Sequence, residues 1–237
     1  MYATPMLRTL AASLVLLVVV LLAGCQPSAQ PTSTTQASSG GAASPASALR
    51  TLLTSVQNGD AESASTVTID GQVALLIALD GATASEARRL IEEGVPEQSR
   101  SLFWTSFRDT YVSNFDEDVS EMLVAEGDRV TVDLVPFALV DVALRKTSGQ
   151  ARWITRTDEN GRWRVDLFAT FASTFAQPLR LWLVTLPDDA DSAVVRHAIA
   201  AQRPSLLAAL QQEPLGPITP GVADQIRGLL TDVGATG

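Results

Sequence analysis

The feature that most limits what this chain can fold into is its first 48 residues, which hold little that a globular core uses. Residues 10–22 form an apolar run of 13 positions dominated by Leu and Val, with Arg8 the one charged side chain ahead of it. The run is too short for a typical membrane span of ~20 residues and has the length of a secretory signal core. It ends in Leu22-Ala23-Gly24-Cys25, which contains the chain's single cysteine. Residues 26–48 carry no charge, no aromatic and no aliphatic side chain larger than Ala. Such residues bury too little apolar area to offset chain entropy, so the stretch reads as a disordered linker. A flexible coil of this length averages roughly 25 Å end to end.

A Leu, two small residues and a Cys at the end of an apolar run resemble the lipobox of bacterial lipoproteins. The resemblance covers residues 1–26. It implies a signal peptide over residues 1–24, cleavage before Cys25, a diacylglyceryl thioether on Cys25 and acylation of the new amine. It therefore implies a palmitate-type anchor in the cell membrane, with the protein on the extracytoplasmic face. Burial contributes about 0.8 kcal/mol per CH₂, so one acyl chain holds weakly and two or three hold stably. An acylated Cys25 leaves no thiol for a disulfide, a nucleophile or a metal ligand.

The remainder is long enough for one substantial core. We expect an α+β domain over residues 49–168 and a helical extension over residues 169–237 packed on the same domain. Loss of the signal leaves 16 basic against 26 acidic side chains, a net −10. That balance argues against nucleic acid as a partner and against electrostatic docking on anionic lipid.

Ser44 and Pro45 open a helix whose apolar stripe is Leu49, Leu52, Leu53 and Val56, closed by Asn58-Gly59. Asp60 caps a short second helix. Residues 68–80 fit a buried helix or a strand, and periodicity does not choose between them. Helices follow over residues 85–93 and 97–113. Met122 to Val124 can start a strand. Val130, Val132 and Leu134 alternate with polar residues, Pro136 breaks the run, and Ala138, Val140, Val142 and Leu144 resume it. Residues 152–156 and 162–167 form a hairpin around Asp158-Glu159-Asn160-Gly161. Alternation gives Trp153 and Trp163 one face and allows them to pair across the strands. The last third is helical over residues 168–186 and 192–202, and again after Thr219-Pro220.

Helices first, then consecutive antiparallel strands, with Gly59-Asp60 after the first helix and Asn160-Gly161-Arg162-Trp163-Arg164-Val165-Asp166 at the end, resemble the nuclear transport factor two-like (cystatin-like) superfamily. The resemblance spans roughly residues 47–170. It implies N-terminal helices covering one face of a curved antiparallel sheet to form a cone. The long segment over residues 68–95 and the helical tail depart from that pattern.

Most catalytic signatures are missing. His197 is the only histidine, so no two-His metal site exists, and no G-x-S-x-G, P-loop or G-x-G-x-x-G is present. No catalytic residue, metal ligand or cofactor is assigned. Asp116-Glu117-Asp118 and Asp188-Asp189-Ala190-Asp191 lack a calcium-loop frame and read as solvated or capping groups at element starts. Phe103, Phe107, Tyr111 and Phe115 recur every four residues, with Trp104 beside them. They either fill the core or, with Trp153 or Trp163, line a pocket for an apolar ligand. Arg152, Arg156, Arg162 and Arg164 lie opposite the tryptophans. They form a solvated outer face balanced by Asp133, Asp141 and Asp166, or a patch for an anion or a partner.

The leading expectation is a non-catalytic, membrane-tethered module for a small apolar ligand or an envelope protein. An enzyme with an aromatic-lined cone, using Tyr111 and a carboxylate, is the second reading. A structural accessory of a surface assembly, docking through its helical tail, is the third. For the anchor, Cys25→Ser is expected to abolish lipid labelling and release or misprocess the protein, read by metabolic labelling and membrane fractionation. Unchanged membrane retention and processing would reject lipidation.

Overall fold

The computed structural model describes residues 40–145, 150–212 and 218–234. The apolar run, Cys25 and most of the linker lie outside the described residues. The fold is α+β, with helices before and after an open four-stranded antiparallel sheet of order β1-β2-β3-β4.

Helix α1 (Pro45–Asn58) starts where the capping chemistry places it. Ser44 Oγ accepts from Ser47 N (3.3 Å), Ser47 Oγ accepts from Ser44 N (3.0 Å), and Gly59 ends the helix at φ +73°. Its stripe of Leu49, Leu52, Leu53 and Val56 is buried. Helix α2 (Ala61–Thr66) is capped by Asp60, which accepts from Ser63 N at 2.9 Å. The ambiguous stretch resolves as helix α3 (Gln72–Ala78), followed by α4 (Ala84–Glu92) and α5 (Glu97–Phe115). Helix α3 is buried on more than one side, with Val73 in the core under α1 and Leu75 in the core of the C-terminal helices. A helix wetted on no face has no amphipathic signature, which is why periodicity could not choose.

A short 3₁₀ turn (Val119–Glu121) leads into β1 (Leu123–Val132), β2 (Val135–Ala143), β3 (Gln150–Thr157) and β4 (Trp163–Val165). Pro136 does not break a strand. Asp133 and Leu134 turn the chain instead, and Pro136 sits inside β2 opposite Thr131. The β2–β3 ladder begins only at Phe137, one residue past the proline that has no N–H to offer. Strand β1 carries a bulge between Glu126 and Arg129. The outer edge of β4 is closed by bridges from Ala42 and Thr68.

Helix α6 (Leu167–Thr185), α7 (Ala190–Ala200), α8 (Arg203–Gln212) and α9 (Pro220–Gly234) complete the chain. The sheet is covered on both faces. Ala138, Val140, Val142, Trp153, Trp163 and Val165 pack against α1. On the reverse face Phe137, Leu139 and Ile154 pack against Ala169 of α6 and Ala208 of α8. A third apolar cluster joins α6, α7, α8 and α9 to Leu75 of α3 and Ala87 of α4. The C-terminal helices thus share a core with the helices that precede the sheet.

These layers meet at a buried polar junction. Asp166, fully buried, caps α6 by accepting from Ala169 N at 2.8 Å. Its Oδ1 also accepts from Gln72 Nε2 (2.9 Å) and its Oδ2 from Ser205 Oγ (2.6 Å). Arg156 Nε lies 3.2 Å from Oδ2 as an ion pair. Gln72 Nε2 further donates to Gln202 Oε1 (2.9 Å), while Gln72 Oε1 accepts from Leu167 N (2.8 Å). Removing one partner of a buried ion pair strands the other. Asp166→Ala is expected to lower stability by about 4 kcal/mol, and Ser205→Ala by about 1 kcal/mol. Both are read from urea midpoints at unchanged slope.

Candidate ligand-binding site

Spacing of three and four along α5 puts Phe103, Trp104, Phe107 and Tyr111 on neighbouring positions of one helix side. Trp104 (1% exposed) and Tyr111 are buried, whereas Phe103 and Phe107 are half-buried. The side chain of Phe115 lies outside the described residues. From Phe103 a continuous series of aromatic contacts runs into the body of the protein. Ring centroids are 4.9 Å apart for Phe103–Trp104, 5.8 Å for Trp104–Phe107 and 6.1 Å for Phe107–Trp153, all edge-to-face. Phe171 of α6 completes the junction, 6.2 Å from Phe107 and 5.1 Å from Trp153. Phe175 continues it at 6.4 Å. Edge-to-face pairs at such distances contribute about 0.5–1.5 kcal/mol each beyond area burial.

Phe171 was not among the residues that spacing along α5 and the hairpin pointed to. It owes its place to a bend in α6, where its own backbone leaves helical values (φ −114°, ψ 21°). Thr170, one residue earlier, accepts from Ile154 N of β3 (3.0 Å) and donates to Asp166 O (2.7 Å). Back-bonding of a Thr hydroxyl to the preceding turn bends helices. Here it also ties the first turn of α6 to the sheet. The available signal was the Phe168, Phe171, Phe175 spacing inside an apolar helix.

Trp153 and Trp163 share a face, but they do not pair. Trp163 stands opposite Thr157, four residues along β3 from Trp153. Instead Arg129 lies over the Trp163 ring at 5.3 Å.

The four arginines do not form one solvated patch. Arg164 is buried (4% exposed) between Asp158 Oδ2 (2.9 Å) and Asp70 Oδ1 (2.8 Å), and it also donates to Thr68 O (3.2 Å). Arg156 is taken by Asp166, Arg152 by Asp141 at 2.9 Å, and Arg162 by Gly41 O at 2.9 Å. The balancing acids foreseen for an outer face are in part internal partners, because the C-terminal helices cover that face.

Tyr111 has a carboxylate nearby, Glu117, which is 1% exposed and accepts from Arg145 N at 2.9 Å. Burial, reinforced by the charge of Glu117, pushes the Tyr111 phenol up, away from neutral pH. The phenol therefore keeps its proton at neutral pH. Glu117 is not the solvated group its acidic neighbours suggested, and Asp116 sits at the C-terminal end of α5 with φ +51°. In the second acidic cluster Asp189 caps α7. The backbone N–H of Ser192, donating at 2.8 Å, holds it below the usual carboxylate range. Asp191 pairs with Arg88 at 2.9 Å. His197 is exposed on α7.

Phe103, Phe107, Phe171 and Trp153 carry no titratable group. What this junction can do is offer the partly exposed edges of aromatic rings backed by buried ones. No group of three or more His, Cys, Asp or Glu able to hold a metal occurs among the described residues, and none of their helices is long and apolar enough to cross a membrane. No family model, curated protein or solved structure matches the chain.

The Asp158–Arg164 pair gives a pH test. Burial pushes the Asp158 carboxyl up, but the N–H groups of Arg162 and Asn160 and the Arg164 guanidinium outweigh it, and the net shift is downward. A depressed carboxyl stabilises the fold above its unfolded value of about 3.9, and that stability is lost as pH falls through the folded value. Asp158→Asn is expected to lower stability by about 3 kcal/mol at pH 7. The gap to wild type should narrow towards pH 3, read from urea midpoints at the two pH values.

Proposed function

We propose that this protein is a lipid-anchored extracytoplasmic module, without catalysis of its own, that binds a small apolar or aromatic ligand at the α5–β3–α6 junction. The observation that carries the binding role is partly buried Phe107 and Phe171 packed against buried Trp153, with partly buried Phe103 against buried Trp104. Apolar concave surface with few polar groups is the common character of small-molecule sites. The membrane location rests on the lipobox resemblance at Cys25. We read the helices-on-sheet arrangement as nuclear transport factor two-like, supported by the order of elements and by the Asn160–Asp166 segment.

A second reading, an envelope protein as partner, is favoured by Leu181 (57% exposed) and Val184 (73% exposed) on α6. The two separate by experiment. The probe N-phenyl-1-naphthylamine is expected to bind the purified mature domain saturably, quench tryptophan emission, and lose about tenfold in affinity in Phe107→Ser and Phe171→Ser, with Leu181→Ser unchanged. Native mass spectrometry should show a co-purifying small molecule. Absence of both saturable binding and a co-purifying mass would overturn the ligand reading. Loss of a co-isolated envelope protein in Leu181→Ser alone would favour the partner.

A further inference from the structure

The sheet register gathers three features at one end. Ala42 pairs with Trp163, Trp163 with Thr157, and the next rung, Thr131 with Pro136, lies just past the Phe137–Arg156 pair. This end therefore carries the start of the described chain at Gly40, the β3–β4 turn around Asn160 and the β1–β2 turn at Asp133-Leu134. The opposite end holds Leu123, paired with Ala143.

The Asp133-Leu134 turn is built against its own backbone preference. Both residues have positive φ, +51° and +66°. Two-residue hairpin turns of this kind favour Asn or Gly, and a branched side chain there is strained. Leu134 is also 93% exposed, so no burial within the fold compensates the strain.

The chain that leaves this end does so from a fixed root. Gly41 N donates to Thr66 O (2.8 Å), and Ala42 exchanges hydrogen bonds with Trp163 (2.8 and 2.9 Å). A Cβ on Gly40 would clash with Thr66 O, and one on Gly41 would lie 2.6 Å from the Arg162 Cβ, so only glycine fits. From Gly40 back to Cys25 is 15 residues of chain, a reach of at most ~50 Å. Whatever surface holds Cys25 is thus within reach of this end of the sheet.

We propose that this end of the sheet docks on the lipid surface, with Leu134 entering the interfacial region of the bilayer. The proposal rests on the lipid-anchor reading of Cys25. The nearby cations are engaged: Arg203 Nε lies 3.9 Å from Asp133 Oδ2, Arg162 donates to Gly41 O and Arg129 lies over the Trp163 ring, while Glu159 is exposed. The contact is therefore apolar and independent of anionic lipid. One leucine is worth about tenfold in partitioning, too little for capture from solution. It is enough to set orientation once the tether makes the encounter intramolecular.

The test uses the single-cysteine character of the chain. In the full acylated protein the Cys25 sulfur is consumed, so Leu134→Cys offers one thiol for an NBD fluorophore. Leu123→Cys, at the far end of the same strand and 52% exposed, is the comparison. In phosphatidylcholine vesicles containing doxyl-labelled lipid, quenching at position 134 is expected to exceed that at 123 at least threefold. Equal or weaker quenching at 134 would overturn the docking. Mass analysis of the Cys25 peptide reads the anchor separately. If Cys25 is not acylated, the same contrast is measured on a Cys25→Ser chain whose residues 1–24 are replaced by a hexahistidine tag on nickel-chelating lipid. A missing contrast there overturns the docking whatever becomes of the anchor. Leu134→Asn relaxes the turn, so it should raise the urea midpoint. In a chain carrying NBD at Asn160→Cys, on the adjacent turn, the same substitution should weaken doxyl quenching; unchanged quenching there would also overturn the proposal.

Discussion

The buried Asp166 carboxylate is the interaction on which the arrangement of layers depends. It stands where β4 ends and α6 begins, and it binds one group from each neighbouring part of the fold: Gln72 of α3, Arg156 of β3 and Ser205 of α8. A fully apolar junction of the same shape would often be as stable or more so. What the carboxylate adds is direction, since its acceptor sites are satisfied by donors that arrive from separate segments. It also starts a helix, so the position of α6 and the convergence of the layers are set by one side chain.

That position carries through to the aromatic junction. Asp166 fixes the first turn of α6, Thr170 ties that turn to β3, and the bend at Phe171 directs its ring onto Trp153 and Phe107. The aromatic junction is therefore coupled to the polar pin through five residues of helix. Loosening Asp166 is expected to displace Phe171 even where no atom of the aromatic junction is changed.

Local chemistry was legible in the sequence, and long-range coverage was not. Ser44-Pro45 and Gly59, Asp60, Asp189, and the Asp158–Gly161 turn stand where their capping or turn chemistry puts them, because each acts within about four residues. The Phe103, Trp104, Phe107 and Trp153 grouping followed from helix and strand periods. Three features escaped. Residues 68–80 hid their period because α3 is buried on more than one side. The β1–β2 turn was misplaced to Pro136 because Asp-Leu is a poor turn pair, and the strain in it leaves no mark on composition. Arg156 and Arg164 were read as solvated because alternation names two faces of a sheet but not what lies on the second one. Only the packing of α6 and α8 decides that.

The inward use of arginine changes how the protein meets its surroundings. Arg164 and Arg156 are committed to internal carboxylates, and Arg152, Arg88 and Arg180 to surface pairs at 2.7 to 2.9 Å. With 26 acids against 17 bases in the chain, little unpaired positive charge remains to draw the domain to an anionic surface. In the lipid-anchored reading proposed above, lasting association with a membrane comes from apolar burial, of acyl chains at Cys25 or of a side chain at a turn. Salt is therefore expected to have little influence on that association, since screening acts on charge and leaves apolar burial in place.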